Sequence, residues 1–209
     1  MKKFRILCYG DSNTYGFIPG RGGRYNCHTR WPGRLQELLG GGYQIIEEGL
    51  CGRTTVYEDR TEPGRRGLDQ IQNAVEKNSP LDLLIIMLGS NDCKVQFGAS
   101  ATEIAEGLRQ VAKKAKDDRT ESFRILLVVP AAMTERVMHS GFGTEFDRRS
   151  VEVSKELARE YKALAEKYGW GFLDGTKATQ VSEIDGLHLD AQGHGRLAEA
   201  VLEWIKNML

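Results

Sequence analysis

The chain has 209 residues, with 29 Lys plus Arg against 29 Asp plus Glu, so no net field steers it toward nucleic acid or an anionic bilayer. Apolar residues make up 40% and charged residues 28%, the balance of a packed globular protein rather than a disordered one. At this length one domain spanning residues 1–209 is expected, with one active site and a small, weakly charged substrate.

Met1-Lys2-Lys3 runs straight into a short apolar strand, too short for a secretory core and without a small-residue cleavage site. No apolar run reaches the ~18 residues of a membrane span. Cys8, Cys27, Cys51 and Cys93 form no CxxC pair, so reduced thiols and a cytoplasmic location are the expectation.

In chain order, apolar runs predict strands at Phe4 to Tyr9, Tyr43 to Glu48, Leu83 to Leu88, Ile125 to Val129 and Trp170 to Leu173. Helical spacing appears at Ile104, Leu108, Val111, Ala112 and Ala115, then at Val153, Leu157, Tyr161, Leu164 and Tyr168, and last at Leu197, Val201, Leu202 and Ile205. Strands alternating with helices predict an α/β fold with a parallel sheet. The run Leu83 to Leu88 is apolar throughout, as expected of a strand covered by helices on both faces. Two Gly-rich or irregular stretches, Pro19 to Arg30 and Ala131 to Gly143, leave the carboxyl edge of the sheet, where they are placed to wall a ligand site.

The segments that leave the strands carry the sharper signal. Gly10-Asp11-Ser12 comes after the first strand, Gly49-Leu50-Cys51-Gly52 after the second, Gly89-Ser90-Asn91-Asp92 after the third, and Asp185-Gly186-Leu187-His188 precedes the last helix. Brought to one edge, these segments supply the parts of acyl transfer. A serine hydroxyl needs a base to take its proton, and His188 is the base available to Ser12. Asp185, bonded to the other ring nitrogen, would hold the tautomer. The backbone N–H groups of Ser12 and Gly52 and the Asn91 amide would receive the oxyanion. Asp11 and Asp92 read as structural turn residues. His194 is expected on a helix surface, and His28 and His139 are given no role. Cys51 and Cys93 are expected as small buried side chains, Trp31 and Arg53 in packing or an interface, and Tyr15, Phe17 and Phe142 as walls of the site.

These blocks, in this order, resemble those of the SGNH (GDSL-like) hydrolase superfamily across nearly the whole chain. The resemblance implies a three-layer α/β/α sandwich with a five-stranded parallel sheet in flavodoxin-like order. Glu48-Gly49-Leu50-x-Gly52-Arg53-Thr54-Thr55, Arg30-Trp31, Leu81-Asp82-Leu83 through Lys94 and Asp185-Gly186-x-His188 are similar to a bacterial arylesterase/acyltransferase subgroup. That likeness implies small acyl groups and an oligomeric enzyme acting on an ester substrate as partner; no HExxH motif or clustered Cys/His ligands appear, so no metal or cofactor is expected. It departs at Asn13, which stands where the motif's name has Leu and where close relatives in the subgroup are apolar; a polar neighbour there is expected to shift preference toward polar acceptors such as sugars. Carbohydrate deacetylation, thioester cleavage or lysophospholipid cleavage fit the same residues. From another class, Ser12 to Gly16 would cradle a phosphate in a flavodoxin-like binding protein, leaving Asn91, Asp185 and His188 without a role.

Overall fold

The computed structural model describes residues 3–116 and 122–208. Five strands, β1 (Phe4–Gly10), β2 (Tyr43–Gly49), β3 (Leu83–Met87), β4 (Arg124–Val128) and β5 (Gly171–Leu173), form one sheet in the order β2-β1-β3-β4-β5. Every pairing is parallel, with Ile6 opposite Ile45 on one side of β1 and opposite Leu83 on the other. Each predicted strand lies within one residue of an observed one at either end. The order reverses between β1 and β3, which opens a crevice at their carboxyl ends. Ser12 follows β1 and Asn91 follows β3, so the topology alone brings these two to the crevice.

Alternate side chains of a strand point to opposite faces. Leu7 and Tyr9 of β1, with Leu84 and Ile86 of β3, therefore pack under α3 (Gly67–Asn78), α4 (Ala101–Lys114) and α5 (Arg148–Tyr168). Ile6 and Cys8, with Leu83, Ile85 and Met87, pack under α2 (Trp31–Leu39) and α7 (Ala191–Met208). All five residues of β3 are buried, and each Leu or Ile there contributes about 1.5–3 kcal/mol by leaving water. Two more helices are single turns, α1 (Ser12–Tyr15) and α6 (Gly175–Ala178).

The helix ends follow side-chain chemistry. Ser100 and Glu103 close a capping box on α4, Asp147 and Ser150 one on α5, and Gly169 in the left-handed region ends α5. The α4, α5 and α7 stripes are core-facing as predicted. Helices α2 and α3 lie outside the predicted elements, although Leu68, Ile71 and Val75 carry helical spacing.

His194 is a correction. It is completely buried rather than on the surface, because it sits three residues before Leu197 and so extends the inward stripe of α7 by one turn. Trp31 is buried against that same helix layer, as packing. Among the described residues no helix is long and apolar enough to cross a membrane.

Candidate active site

Ser12 opens α1 immediately after β1. Asp11 caps that turn, its Oδ1 accepting the Asn13 N–H at 2.9 Å. Burial pushes the Asp11 carboxyl up to about 6, opposed by that hydrogen bond and by the nearby Arg53 guanidinium. The structural role expected of Asp11 is thus visible as a cap that fixes the backbone around Ser12.

Across the crevice, Asp185 and His188 lie on the loop before α7. Asp185 Oδ1 accepts the backbone N–H groups of Leu187 and His188, both at 3.0 Å, and Oδ2 lies 2.8 Å from His188 Nδ1. His188 Nε2 lies 3.0 Å from Ser12 Oγ. An ionised carboxylate only accepts, so Nδ1 carries the ring proton and Nε2 is left to accept from the serine. Burial works to raise the Asp185 pKa, but the bonds from His188 and Leu187 outweigh it and hold the carboxyl below its ordinary value. The tight loop needs Gly186: its φ is +68°, and a Cβ there would lie 2.6 Å from the Val137 nitrogen. Phe17 and Phe142 flank the imidazole, with ring centroids 4.4 and 5.1 Å from it.

The three expected oxyanion donors border the same space. Gly52 has φ +76°, and a Cβ on it would meet the Glu62 carboxylate at 2.5 Å. Asn91 Nδ2 donates to the Arg53 carbonyl at 3.1 Å; a carboxamide nitrogen has two N–H donors, so one is used to orient the group and a second remains for a ligand. Arg53 itself is buried, stacks 4.0 Å over the Tyr9 ring and donates to the carbonyls of Gly10 (2.7 Å) and Glu48, tying the ends of β1 and β2 together. Asp92 reaches further than a local turn, accepting the Thr55 N–H at 2.9 Å and also the Thr55 hydroxyl. Burial pushes it up to about 6 against those bonds.

The cavity over Ser12 has a volume of about 160 Å³. Beside Ser12, His188, Gly52 and Asn91 it is lined by Phe17 and Phe142, as anticipated, and by groups that no local pattern announced, among them Glu62, Glu145 and Phe146. Lys94, also in the lining, is buried and held between Asp59 (2.7 Å) and Glu145 (2.6 Å). Burial works to lower the Lys94 pKa and to raise that of Asp59; the mutual hydrogen bonds prevail, so the lysine is pushed up and the aspartate well down.

Several expectations change. Tyr15 is not among the lining residues; its ring carries the Arg24 guanidinium, 4.7 Å from the centroid. The stretch Pro19 to Arg30 does not wall this cavity either, since Gly20 and Gly22 border a separate depression beyond Phe17 and Phe142. Cys51 is half-buried in the cavity wall rather than enclosed, and burial, reinforced by Asp11, pushes its thiol up to about 11. Cys93 is buried as expected. Asn13 does not face the cavity: its two polar atoms are taken by backbone on either side of His188, so it is no polar neighbour for an acceptor.

A hydroxyl, an imidazole and a carboxylate in hydrogen-bonded series, beside amide donors and a small cavity, form an arrangement suited to acyl transfer. The profile of the GDSL-like lipase/acylhydrolase family matches residues 8–196. The chain belongs to that family. It is therefore a hydrolase acting on ester bonds, with the α/β architecture of the SGNH hydrolases. A carbohydrate acetylesterase from Sinorhizobium meliloti is 33% identical with a TM-score of 0.92, covering 99% of this chain and 100% of its own. The M. smegmatis aryl esterase is 32% identical with a TM-score of 0.92, at the same coverage of both chains. An acetylxylan esterase from Xylanibacter ruminicola is 23% identical over 97% of this chain, which spans 43% of the length of that relative. The flavodoxin-like binding alternative gives way to the family's ester chemistry.

Proposed function

We propose that this protein hydrolyses short-chain carboxylic esters through an acyl-enzyme on Ser12, with His188 as base, Asp185 as its partner, and the Ser12 and Gly52 backbone N–H groups and the Asn91 amide as oxyanion donors. The observation that carries the proposal is the continuous series Asp185–His188–Ser12, at 2.8 and 3.0 Å, opening into the 160 Å³ cavity. In the first step Ser12 Oγ bonds to the ester carbonyl carbon while its proton passes to His188 Nε2. The carbonyl electron pair moves to oxygen, where the amide donors receive it. Collapse returns that pair, breaks the bond to the alcohol, and delivers the His188 proton to the departing oxygen. Water then repeats the sequence on the acyl-enzyme and frees the acid; an alcohol in its place completes an acyl transfer.

The size of the cavity favours a small acyl group, since an enclosed space of about 150 Å³ holds a benzene-sized guest. The polar part of the lining, Glu62, Lys94 and Glu145, suits a hydroxylated leaving group, and relatives named as carbohydrate acetylesterase and acetylxylan esterase support an O-acetylated sugar.

The test combines labelling with an ester series. A fluorophosphonate is expected to label the wild type and not Ser12→Ala, whose kcat falls on the order of 10⁶-fold. Labelling that persists at another residue rejects Ser12 as nucleophile. Among 4-nitrophenyl acetate, butyrate and octanoate, kcat/KM is expected to fall in a graded way, since one methylene is worth about 1–3 kcal/mol in a pocket. A higher value for octanoate than for acetate rejects the small acyl site.

A further inference from the structure

Asn13 follows Ser12 in the chain and is buried. Its carboxamide spans the backbone on both sides of His188: Nδ2 donates to the Leu187 carbonyl at 3.3 Å, and Oδ1 accepts the Leu189 N–H at 2.9 Å. The backbone N–H of Asn13 is itself held by Asp11. One planar amide thus joins the nucleophile turn to the peptide units immediately before and after His188. Among the described residues, the other direct hydrogen bond between α1 and the 185–189 loop is the Ser12–His188 contact itself.

The other supports of His188 act on its ring, within its own loop, or from segments other than the nucleophile turn: Ser182 donates its N–H to the His188 carbonyl at 2.7 Å, Thr134 donates to the Gly186 carbonyl at 3.1 Å, and Leu187 and Leu189 are buried in the core. Asp185 orients the imidazole from Nδ1 and braces the loop from inside, while Phe17 and Phe142 contact the ring. None of these hydrogen bonds runs to the nucleophile turn, so none ties the loop to Ser12 directly. The two segments lie 176 residues apart in sequence, so covalent geometry does not tie them either. We infer that Asn13 is a positioning residue, a clamp that sets the His188 loop in register with Ser12 and so sets the distance over which the proton passes. The inference rests on the reading of Ser12 and His188 as nucleophile and base.

Only a side chain that donates and accepts from one plane can make both bonds. Leucine has similar volume and makes neither. Aspartate keeps the acceptor for Leu189 but turns a second acceptor toward the Leu187 carbonyl. Because Asn13 does not line the cavity, its loss should leave substrate binding nearly intact while the reactive geometry loosens.

The experiment uses the full chain with Asn13→Leu and Asn13→Asp, assayed on 4-nitrophenyl acetate. In both variants kcat is expected to fall by about 10- to 100-fold, the scale of a small misplacement of reacting groups. KM is expected to stay within about twofold, and the rate of Ser12 labelling by a fluorophosphonate to fall in step with kcat. A merely structural role lowers the melting temperature and leaves kcat of the folded protein in place, so a folded Asn13→Leu with kcat within about twofold of wild type overturns the clamp. A raised KM with kcat unchanged overturns it too, by making Asn13 a substrate contact. If neither variant folds, the wild type decides by NMR: slow deuterium exchange of the Leu189 amide and of the Asn13 carboxamide supports the clamp, and exchange at the rate of free amides overturns it. Absence of labelling on wild-type Ser12 removes the nucleophile reading and the clamp with it, whereas labelled wild type with an unaffected Asn13→Leu removes the clamp alone.

Discussion

Acid should destabilise this protein through His194, at a position outside the active site. The His194 ring is completely buried, with the Tyr25 ring edge-on at 5.4 Å, and its Nδ1 accepts the Trp31 backbone N–H at 3.3 Å. A nitrogen that accepts carries no proton, so protonating Nδ1 would set N–H against N–H. Burial, chiefly, pushes the His194 pKa down from 6.5 to about 4; Asp190 pulls the other way, and the Arg30 guanidinium adds to the fall. Once unfolded, the imidazole regains its ordinary value of about 6.5. Between pH about 6.5 and about 4 the unfolded chain therefore binds the extra proton and the folded one does not, so stability falls as pH falls and levels off below about 4. A gap of about 2.5 units corresponds to about 3.4 kcal/mol, of which about 2.5 kcal/mol is lost by pH ~4.5. Asp11 and Asp92, pushed up to about 6, titrate in the same window with the opposite sign: their folded forms take up protons first, which stabilises. The effect of His194 must therefore be read as a difference. His194→Asn places an amide oxygen where Nδ1 accepts and cannot titrate. Urea unfolding followed by tryptophan fluorescence, at pH 7 and pH ~4.5, should show wild type losing about 2.5 kcal/mol more than the variant. An equal loss in the two proteins would refute the reasoning.

Two further outcomes concern the site. Asp185→Asn should lower kcat by roughly 10⁴, because an amide facing Nδ1 with its NH₂ group favours the tautomer that cannot accept from Ser12; ester hydrolysis at the wild-type rate would remove Asp185 from the series. Asn91→Ala should lower kcat by about 10² to 10³ with a smaller change in KM, as expected of a donor used mainly in the transition state. Steady-state kinetics that instead show a raised KM at constant kcat would make Asn91 a ground-state contact.

Much of this was legible along the chain because it is local. A strand such as Leu83–Met87 announces itself by unbroken apolarity, and α4 by Ile104, Leu108 and Val111 at helical spacing, since both periods belong to the backbone itself. Ser12 and His188 could be picked out because each sits in a short block, one after β1 and one before α7, whose residue types together match one chemistry. His194 is the exception: a polar residue in an inward stripe has no visible reason in the sequence, because the acceptor role it fills, for the Trp31 N–H, arises only when α7 docks against α2.

What only the tertiary structure decided depends on how segments distant in sequence come to rest. Glu62, Lys94, Glu145 and Phe146 share one cavity because the loops after β2, β3 and β4 meet over the crevice where the strand order reverses. No spacing encodes that meeting, since the strands carrying those loops are ordered by packing against helices on both faces. Asn13 shows the difference most sharply. Its type and its place beside Ser12 are plain in the sequence, but whether its amide faces a substrate or the backbone around His188 is set by the distance between two loops 176 residues apart. Hydrogen bonds act over about 3 Å, so that distance has no counterpart in the linear chain and is fixed only when the sheet and its two helical layers have closed.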